Sequence, residues 1–251
     1  MVTRLRAAGC VFAEDEARLL AAAARTPAEL AAMVDQRVAG LPLEQVVGWA
    51  EFCGLRIAVA PGVFVPRRRT EFLVRQAVAR ARPGPVVVDL CCGSGAVGAA
   101  LAAALEQAEL YAVDVDPVAV ACARRNLAAS GGQVYQGDLY EPLPAALRAR
   151  VDILAANVPY IPTEEIALLP AEARVYEPRA ALDGGRDGLD VLRRVATAAP
   201  VWLAPGGRLL TETSERQAPR AVEAFAGAGL IPQVARSEEL NATVIIGTRP
   251  A

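Results

Sequence analysis

The segment AANVPYIPT, Ala155 to Thr163, closes an apolar β-branched run, VDIL, which starts at Val151 and has the composition of a strand buried on both faces. Such a strand ordinarily ends in a turn. This one delivers an amide, a valine, a proline and an aromatic: Asn157, Val158, Pro159 and Tyr160. An amide oxygen and a backbone carbonyl on one rigid segment can each accept one N–H of an incoming NH₂ group, which aims the nitrogen and disperses its developing positive charge. Asn157 and the carbonyl of Val158 have the spacing for this, with Tyr160 as an apolar and aromatic wall. The chemistry that needs such a device is attack by an amide nitrogen. Its lone pair is delocalised, so orientation alone can supply ~7–11 kcal/mol. Taken alone, Tyr160 could equally be a core aromatic under a loop; Asn157 beside it favours the functional reading.

A second group of candidates surrounds a glycine turn. Gly93-Ser94-Gly95-Ala96-Val97-Gly98 matches G-x-G-x-x-G, and Asp114 lies about where that motif places its ribose-binding acid, ~20 residues on. The motif by itself does not separate a nicotinamide dinucleotide from S-adenosylmethionine (SAM), and it also fits a purely structural tight turn. Two details favour SAM. Asp89 at the end of the preceding strand would oppose a pyrophosphate but suits a cationic amine and sulfonium. Dehydrogenases usually need a histidine or lysine acid, whereas this chain has no histidine and all its basic residues are arginine. Asp114 is then expected to accept hydrogen bonds from both ribose hydroxyls, with Val115 beside it, while Asp138 and Leu139 fall where a loop flanks an adenine or where a plain turn would serve as well.

Composition narrows the classes further. With 251 residues, 54% hydrophobic and 22% charged, the chain can bury one large domain and a small appendage. A net charge of -2 gives no electrostatic footprint for nucleic acid. No apolar run approaches the ~20 residues of a membrane span and no signal peptide is legible, so a cytoplasmic protein is expected. The five cysteines, Cys10, Cys53, Cys91, Cys92 and Cys122, have no C-x-x-C spacing and read as reduced packing residues, without a metal site.

These candidates require elements to hold them. Thr26-Pro27-Ala28-Glu29 is a capping box ahead of Leu30, Met33, Val34 and Val38 at helical spacing, which predicts a small helical domain over residues 1–48. EFCGLRIAVAPGVFVP reads as a β-hairpin, and Arg69 to Ala81 as a helix, forming a linker over 49–82. From Pro85 the pattern alternates strand and helix: PVVVDL, AVGAALAAAL, ELYAVDV, a helix opened by Asp116 and Pro117, QVYQGD, VDILAAN, Leu189 to Ala198, GGRLLTET and Arg216 to Ala228. LIPQVARS and ATVIIGTR are too close in sequence for a helical crossover, so they should pair as an antiparallel edge hairpin. The expected fold of 83–251 is α/β, a mostly parallel seven-stranded sheet that resembles the Rossmann-like class I SAM-dependent methyltransferases. The run Arg67-Arg68-Arg69 could meet an acidic partner or RNA phosphate, and reads more readily as a solvated helix start.

N-V-P-Y resembles the N-P-P-Y signature of amino-methyltransferases acting on glutamine, adenine or guanine nitrogens. The flanks PLEQVVGWAEFCGLRIAVAPGVFVPRRRTEFLV, VVDLCCGSGAVGAAL, AVDVDPVAVACARRN, GDLY and YEPRAALDGGRDGLDVLRR resemble, in order, the HemK/PrmC family of protein N5-glutamine methyltransferases from Pro42 to the C-terminus. That resemblance implies SAM along Asp89, Cys91, Cys92, Gly93, Ser94, Gly95, Asp114, Val115, Asp138, Leu139 and Asn157. It implies the acceptor glutamine at Asn157, Val158, Pro159 and Tyr160, and as partner a class I peptide chain release factor, methylated on its Gly-Gly-Gln loop and held partly by the helical domain. Departures from the family pattern mark a divergent NVPY subfamily. Cys91 replaces the leading glycine, so the backbone there is expected to manage without positive φ. The helical domain is short. Val158 replaces the first proline, which restores an N–H and frees Asn157 from the restriction a following proline imposes, while Pro159 still keeps residue 158 extended. The rival readings are an amino-methyltransferase acting on nucleic acid or a small molecule, and a SAM-binding protein without activity.

Overall fold

The computed structural model describes residues 1–251. Four short helices come first: α1 (Val2–Ala7), α2 (Ala13–Ala23), α3 (Pro27–Val38) and α4 (Leu43–Val47). Thr26 caps α3 through its hydroxyl, which accepts from the Glu29 N–H at 3.1 Å, whereas Glu29 reaches back to the Arg25 N–H rather than to the N-cap itself. These helices bury their own small core around Leu5, Leu20, Met33 and Val34. The hairpin is β1 (Trp49–Phe52) and β2 (Leu55–Ala58), turning at Cys53 and Gly54, both at positive φ. The helix expected from Arg69 is shorter: a 3-10 turn over Arg68–Thr70 leads into α5 (Glu71–Val78).

The remainder alternates as the pattern requires: β3 (Val86–Leu90), α6 (Ala96–Ala104), β4 (Glu109–Asp114), α7 (Pro117–Leu127), β5 (Gln133–Gln136), β6 (Val151–Ala156), α8 (Ala171–Tyr176), α9 (Asp190–Trp202), β7 (Leu203–Thr213), α10 (Ala218–Gly227), β8 (Ile231–Ser237) and β9 (Ala242–Thr248). The seven-stranded sheet has the order β5-β4-β3-β6-β7-β9-β8, with β9 antiparallel to both β7 and β8. Side-chain alternation sends Val86, Val88 and Leu90 into the core beneath α9 and α10, and Val87 into the core beneath α5, α6 and α7. Both faces are therefore covered, which is why β3 and β6 are buried at every position and apolar except for Asp89 and Asp152.

This strand order fixes the site. From β3 the chain winds outward through β4 to β5, then returns to lay β6 against the other side of β3. The reversal leaves a crevice at the carboxyl ends of these two strands, the usual ligand position in an open α/β sheet. The register pairs Leu90 with Ala156, so the next residues, Cys91 and Asn157, emerge side by side.

Candidate active site

A cleft of about 540 Å³ opens at that crevice. Its wall includes Asp89, Cys91, Cys92, Gly93, Ser94, Asp114, Val115, Asp138 and Leu139 together with Asn157, Val158, Pro159 and Tyr160. Of the residues singled out in the sequence, only Gly95 lies behind the wall. The tertiary fold thus brings the glycine turn and the tetrad, over sixty positions apart in sequence, into one cavity.

In the first half of the cleft, alternation along β3 turns Asp89 toward α6, where its Oδ2 accepts from the Gly98 N–H at 2.8 Å. A Cβ on Gly98 would stand 3.2 Å from that oxygen, so the last glycine of the motif provides close approach between helix and carboxylate. Asp89 is 1% exposed and braces the turn from beneath while contributing to the cleft wall. Burial, and then the charge of Asp114, push its carboxyl up to about 7. Asp114 is oriented at both oxygens: Oδ2 accepts from Gly93 N–H at 2.8 Å and Oδ1 from Asp116 N–H at 2.9 Å. Burial also raises its carboxyl above the ordinary value. Asp116 caps α7 by accepting from the Val118 N–H, which leaves Asp114 free for the cleft. Asp138 is paired with Arg194 of α9.

Cys91 corrects the sequence expectation. Its φ is +54°, so the chain keeps the left-handed turn although a side chain has replaced the family's glycine. The cost of such a conformation for an L-residue is ~1–2 kcal/mol. The reason it persists is covalent continuity: Leu90 is fixed in the ladder and the Cys92 N–H is tied to the Val113 carbonyl at 3.0 Å, so residue 91 must turn between two anchored neighbours. Its side chain packs against the core beneath α9 and α10. Burial and the carboxylates Asp114, Asp89 and Asp138 push the thiol up, which keeps it protonated and non-nucleophilic.

In the second half, Asn157 Oδ1 is buried and accepts no hydrogen bond within the protein. Val158 is 1% exposed and anchors the tetrad in the core. The segment from Leu182 to Asp190 cradles the chain just beyond the tetrad: Ile161 N–H donates to Leu182 O, Gly184 N–H to Ile161 O, and Thr163 N–H to Gly185 O. Gln217 Nε2 donates to the carbonyls of Tyr160 and Asp187, both at 2.9 Å. Gly188 lies at φ +76°, and a Cβ there would come within 2.3 Å of both Gln217 Nε2 and the Tyr160 carbonyl, so no side chain fits beneath the loop. Tyr160 is more than an apolar wall, because its hydroxyl donates to Glu212 Oε1 at 3.0 Å.

The arginine run also departs from expectation. Arg67 forks onto Glu177 at 2.6 Å, and Arg69 Nε meets Glu212 at 2.9 Å. Both carboxylates are buried, and both arginines reach the cleft wall. A charge run is ordinarily a solvated face; here β7 and the loop before Pro178 present buried anions to it, and burial of unpaired carboxylates is costly enough to draw the guanidinium groups in. The missed residues are Arg67, Arg69, Glu177, Glu212 and Asn126. Asn126 joins the hairpin to the glycine turn, since its Nδ2 donates to Ala58 O and Ser94 O and its Oδ1 accepts from Ala58 N–H. Only Glu212 carried a local signal: a carboxylate just after the apolar pair Leu209-Leu210, near the end of a strand.

The raised Asp89 carboxyl predicts a pH effect. The folded protein holds this proton up to about 7 while the unfolded chain releases it near 3.8, so stability is lost as pH rises through that window. Between about pH 5 and 8, wild type should lose roughly 2–3 kcal/mol relative to Asp89→Asn, at ~1.4 kcal/mol per pH unit. Denaturant melts of both proteins across that range check this, and parallel curves would refute it.

Comparison with known proteins adds four findings. The family profile described as methyltransferase small domain matches residues 54–185. The release factor glutamine methyltransferase of Geobacter sulfurreducens is 43% identical over 208 residues, covering 81% of this chain and 72% of that protein. The 4-amino-L-phenylalanine/4-methylamino-L-phenylalanine methyltransferase of Streptomyces pristinaespiralis is 38% identical over 73% of this chain and 65% of its own length. Among solved structures, a methyltransferase from Pyrococcus furiosus superposes with a TM-score of 0.59 at 17% identity over 79% of this chain and 90% of that one, a likeness of fold.

Proposed function

Since the chain belongs to the release factor glutamine methyltransferase family, we propose that it transfers a methyl group from SAM to the side-chain amide nitrogen of a glutamine, in the Gly-Gly-Gln loop of a class I peptide chain release factor. SAM, when bound, supplies an electrophilic methyl on a sulfonium, and S-adenosylhomocysteine is the leaving group. Asp114 holds its ribose hydroxyls, Val115 and Leu139 border its adenine, and the turn from Cys91 to Gly95 lets the backbone approach it. The fit rests on the chemistry of this half of the cleft: a preoriented carboxylate and a backbone at close approach suit a cationic, hydroxyl-bearing ligand.

The acceptor is handled by the tetrad. Asn157 Oδ1 accepts one N–H of the glutamine amide and the Val158 carbonyl accepts the other, which turns the nitrogen lone pair toward the methyl carbon. Both acceptors also oppose the positive charge that grows on nitrogen during transfer. No general base is required, because the methylated nitrogen loses its proton readily to water.

The observation that carries this reading is the unpartnered Asn157 Oδ1. A buried amide oxygen without a donor costs ~1–3 kcal/mol, and an incoming NH₂ satisfies it. Purified protein, SAM and release factor should yield a mass gain of one methyl on the Gly-Gly-Gln peptide; an unmodified peptide at full SAM occupancy would sink the acceptor. The Streptomyces relative supports a second reading, an aromatic amine as acceptor. Labelled-methyl transfer to 4-aminophenylalanine, with none to release factor, would select it.

A further inference from the structure

Glu212 lies near the carboxyl end of β7, 2% exposed and behind the cleft wall rather than on it. Three donors converge on its carboxylate. Arg69 Nε and the Tyr160 hydroxyl donate to Oε1 at 2.9 and 3.0 Å, and the Thr70 hydroxyl donates to Oε2 at 2.7 Å. The guanidinium of Arg69 also lies 5.6 Å from the centre of the Tyr160 ring. Tyr160 belongs to the tetrad, while Arg69 and Thr70 begin the linker helix that follows the hairpin. One buried anion therefore ties the tetrad tyrosine to the linker.

We propose that Glu212 is a positioning residue for transfer, fixing the rotation of the Tyr160 ring against the linker and so the width of the acceptor slot beside Asn157. The placement separates it from a catalytic group, because no substrate atom can reach a carboxylate behind the tyrosine. It also separates it from a packing residue. A Leu or Val at this position of the strand would fill the same space without the desolvation cost of a carboxylate, whereas the charge holds a phenol hydroxyl, a hydroxyl and a guanidinium in a single arrangement. A tyrosine ring loses rotational freedom most completely when its tip is hydrogen-bonded and its face covered, and both occur here.

This inference rests on the methyl-transfer reading only for its kinetic arm. E212Q keeps the volume but removes the charge that Arg69 and Tyr160 share at Oε1 and replaces Oε2 by an amide that cannot accept from Thr70, so the arrangement loosens. Its kcat with release factor should fall about 30- to 100-fold while SAM affinity stays within about threefold, since a displacement of about 1 Å costs about 100-fold. The milder T70V, which leaves the carboxylate in place, should lose about fivefold by the same argument, and it serves if E212Q does not fold. The E212Q/Y160F double variant should be no slower than the slower single variant, because Y160F removes the same hydrogen bond that E212Q weakens. The structural arm is independent of acceptor. In ¹³C-tyrosine NMR, the Tyr160 resonance, assigned by its disappearance in Y160F, should shift or broaden in E212Q and T70V while the other tyrosines hold. Unchanged kcat in a folded E212Q, multiplicative losses in the double variant, or an unperturbed Tyr160 resonance would each overturn the role. Failure of wild type to methylate release factor would instead remove the proposed acceptor, and the resonance would then decide Glu212 alone.

Discussion

Asn157→Ala should lower kcat for methyl transfer by about a thousandfold while SAM affinity changes no more than about threefold. The size follows from what the amide oxygen does. It accepts one of the two N–H groups of the acceptor, and without it the nitrogen can rotate about the remaining bond to the Val158 carbonyl, so the lone pair no longer faces the methyl carbon. Alanine also removes the oxygen that opposes the developing positive charge. The selectivity follows from position: Asn157 emerges after the buried end of β6, while the cofactor half is built by β3, β4 and the turn from Cys91. Removing an oxygen that already lacks a partner should leave the melting temperature unchanged or slightly raised, because a buried unsatisfied acceptor disappears. Single-turnover transfer with isothermal SAM binding separates the two quantities. An equally active variant would refute the aiming role, and a matching collapse in SAM affinity would place Asn157 on the cofactor instead.

Asp114→Ala should weaken SAM binding by about 100- to 1,000-fold, the loss of two charge-assisted hydrogen bonds in a sheltered cleft. The carboxylate is preoriented by the Gly93 and Asp116 N–H groups, so little ordering is spent on binding. Asp114→Asn should be nearly as damaging, since an amide placed between those two N–H groups turns a donor toward one of them. Because burial raises the Asp114 carboxyl, SAM affinity should also begin to fall at a higher pH on acidification than an ordinary carboxylate would give. Calorimetric titration of SAM at neutral and mildly acid pH measures both effects; a dissociation constant within threefold of wild type would remove Asp114 from the ribose.

Much of this molecule was legible before any coordinates. The continuous apolar runs of β3 and β6, the cap at Asp116 with Pro117, the Thr26 cap and the closing hairpin are local matters of side-chain composition and backbone donors, and the chain carries them in its spacing. Asn157, Asp114 and the glycine turn were legible for a related reason: each breaks a local rule by ending an apolar strand in polar or glycine residues, and such breaks cluster at sites.

Partner choice was not legible, because it depends on elements far apart in sequence. Arg67-Arg68-Arg69 has the local look of a solvated charge run, yet two of its members close on Glu177 and Glu212, over a hundred positions later. Asp89 has the local look of a cofactor neighbour, and only the packing of α6 shows that it also accepts from the Gly98 N–H. Cys91 takes positive φ because the sheet anchors both its neighbours, a constraint that propensity at a single residue does not contain. The sequence by itself determined which strands end in chemistry. The tertiary structure decided that β3 and β6 end side by side and that a buried glutamate holds the tyrosine at their junction, since strand order and buried charge pairing are settled only when distant segments exclude water together.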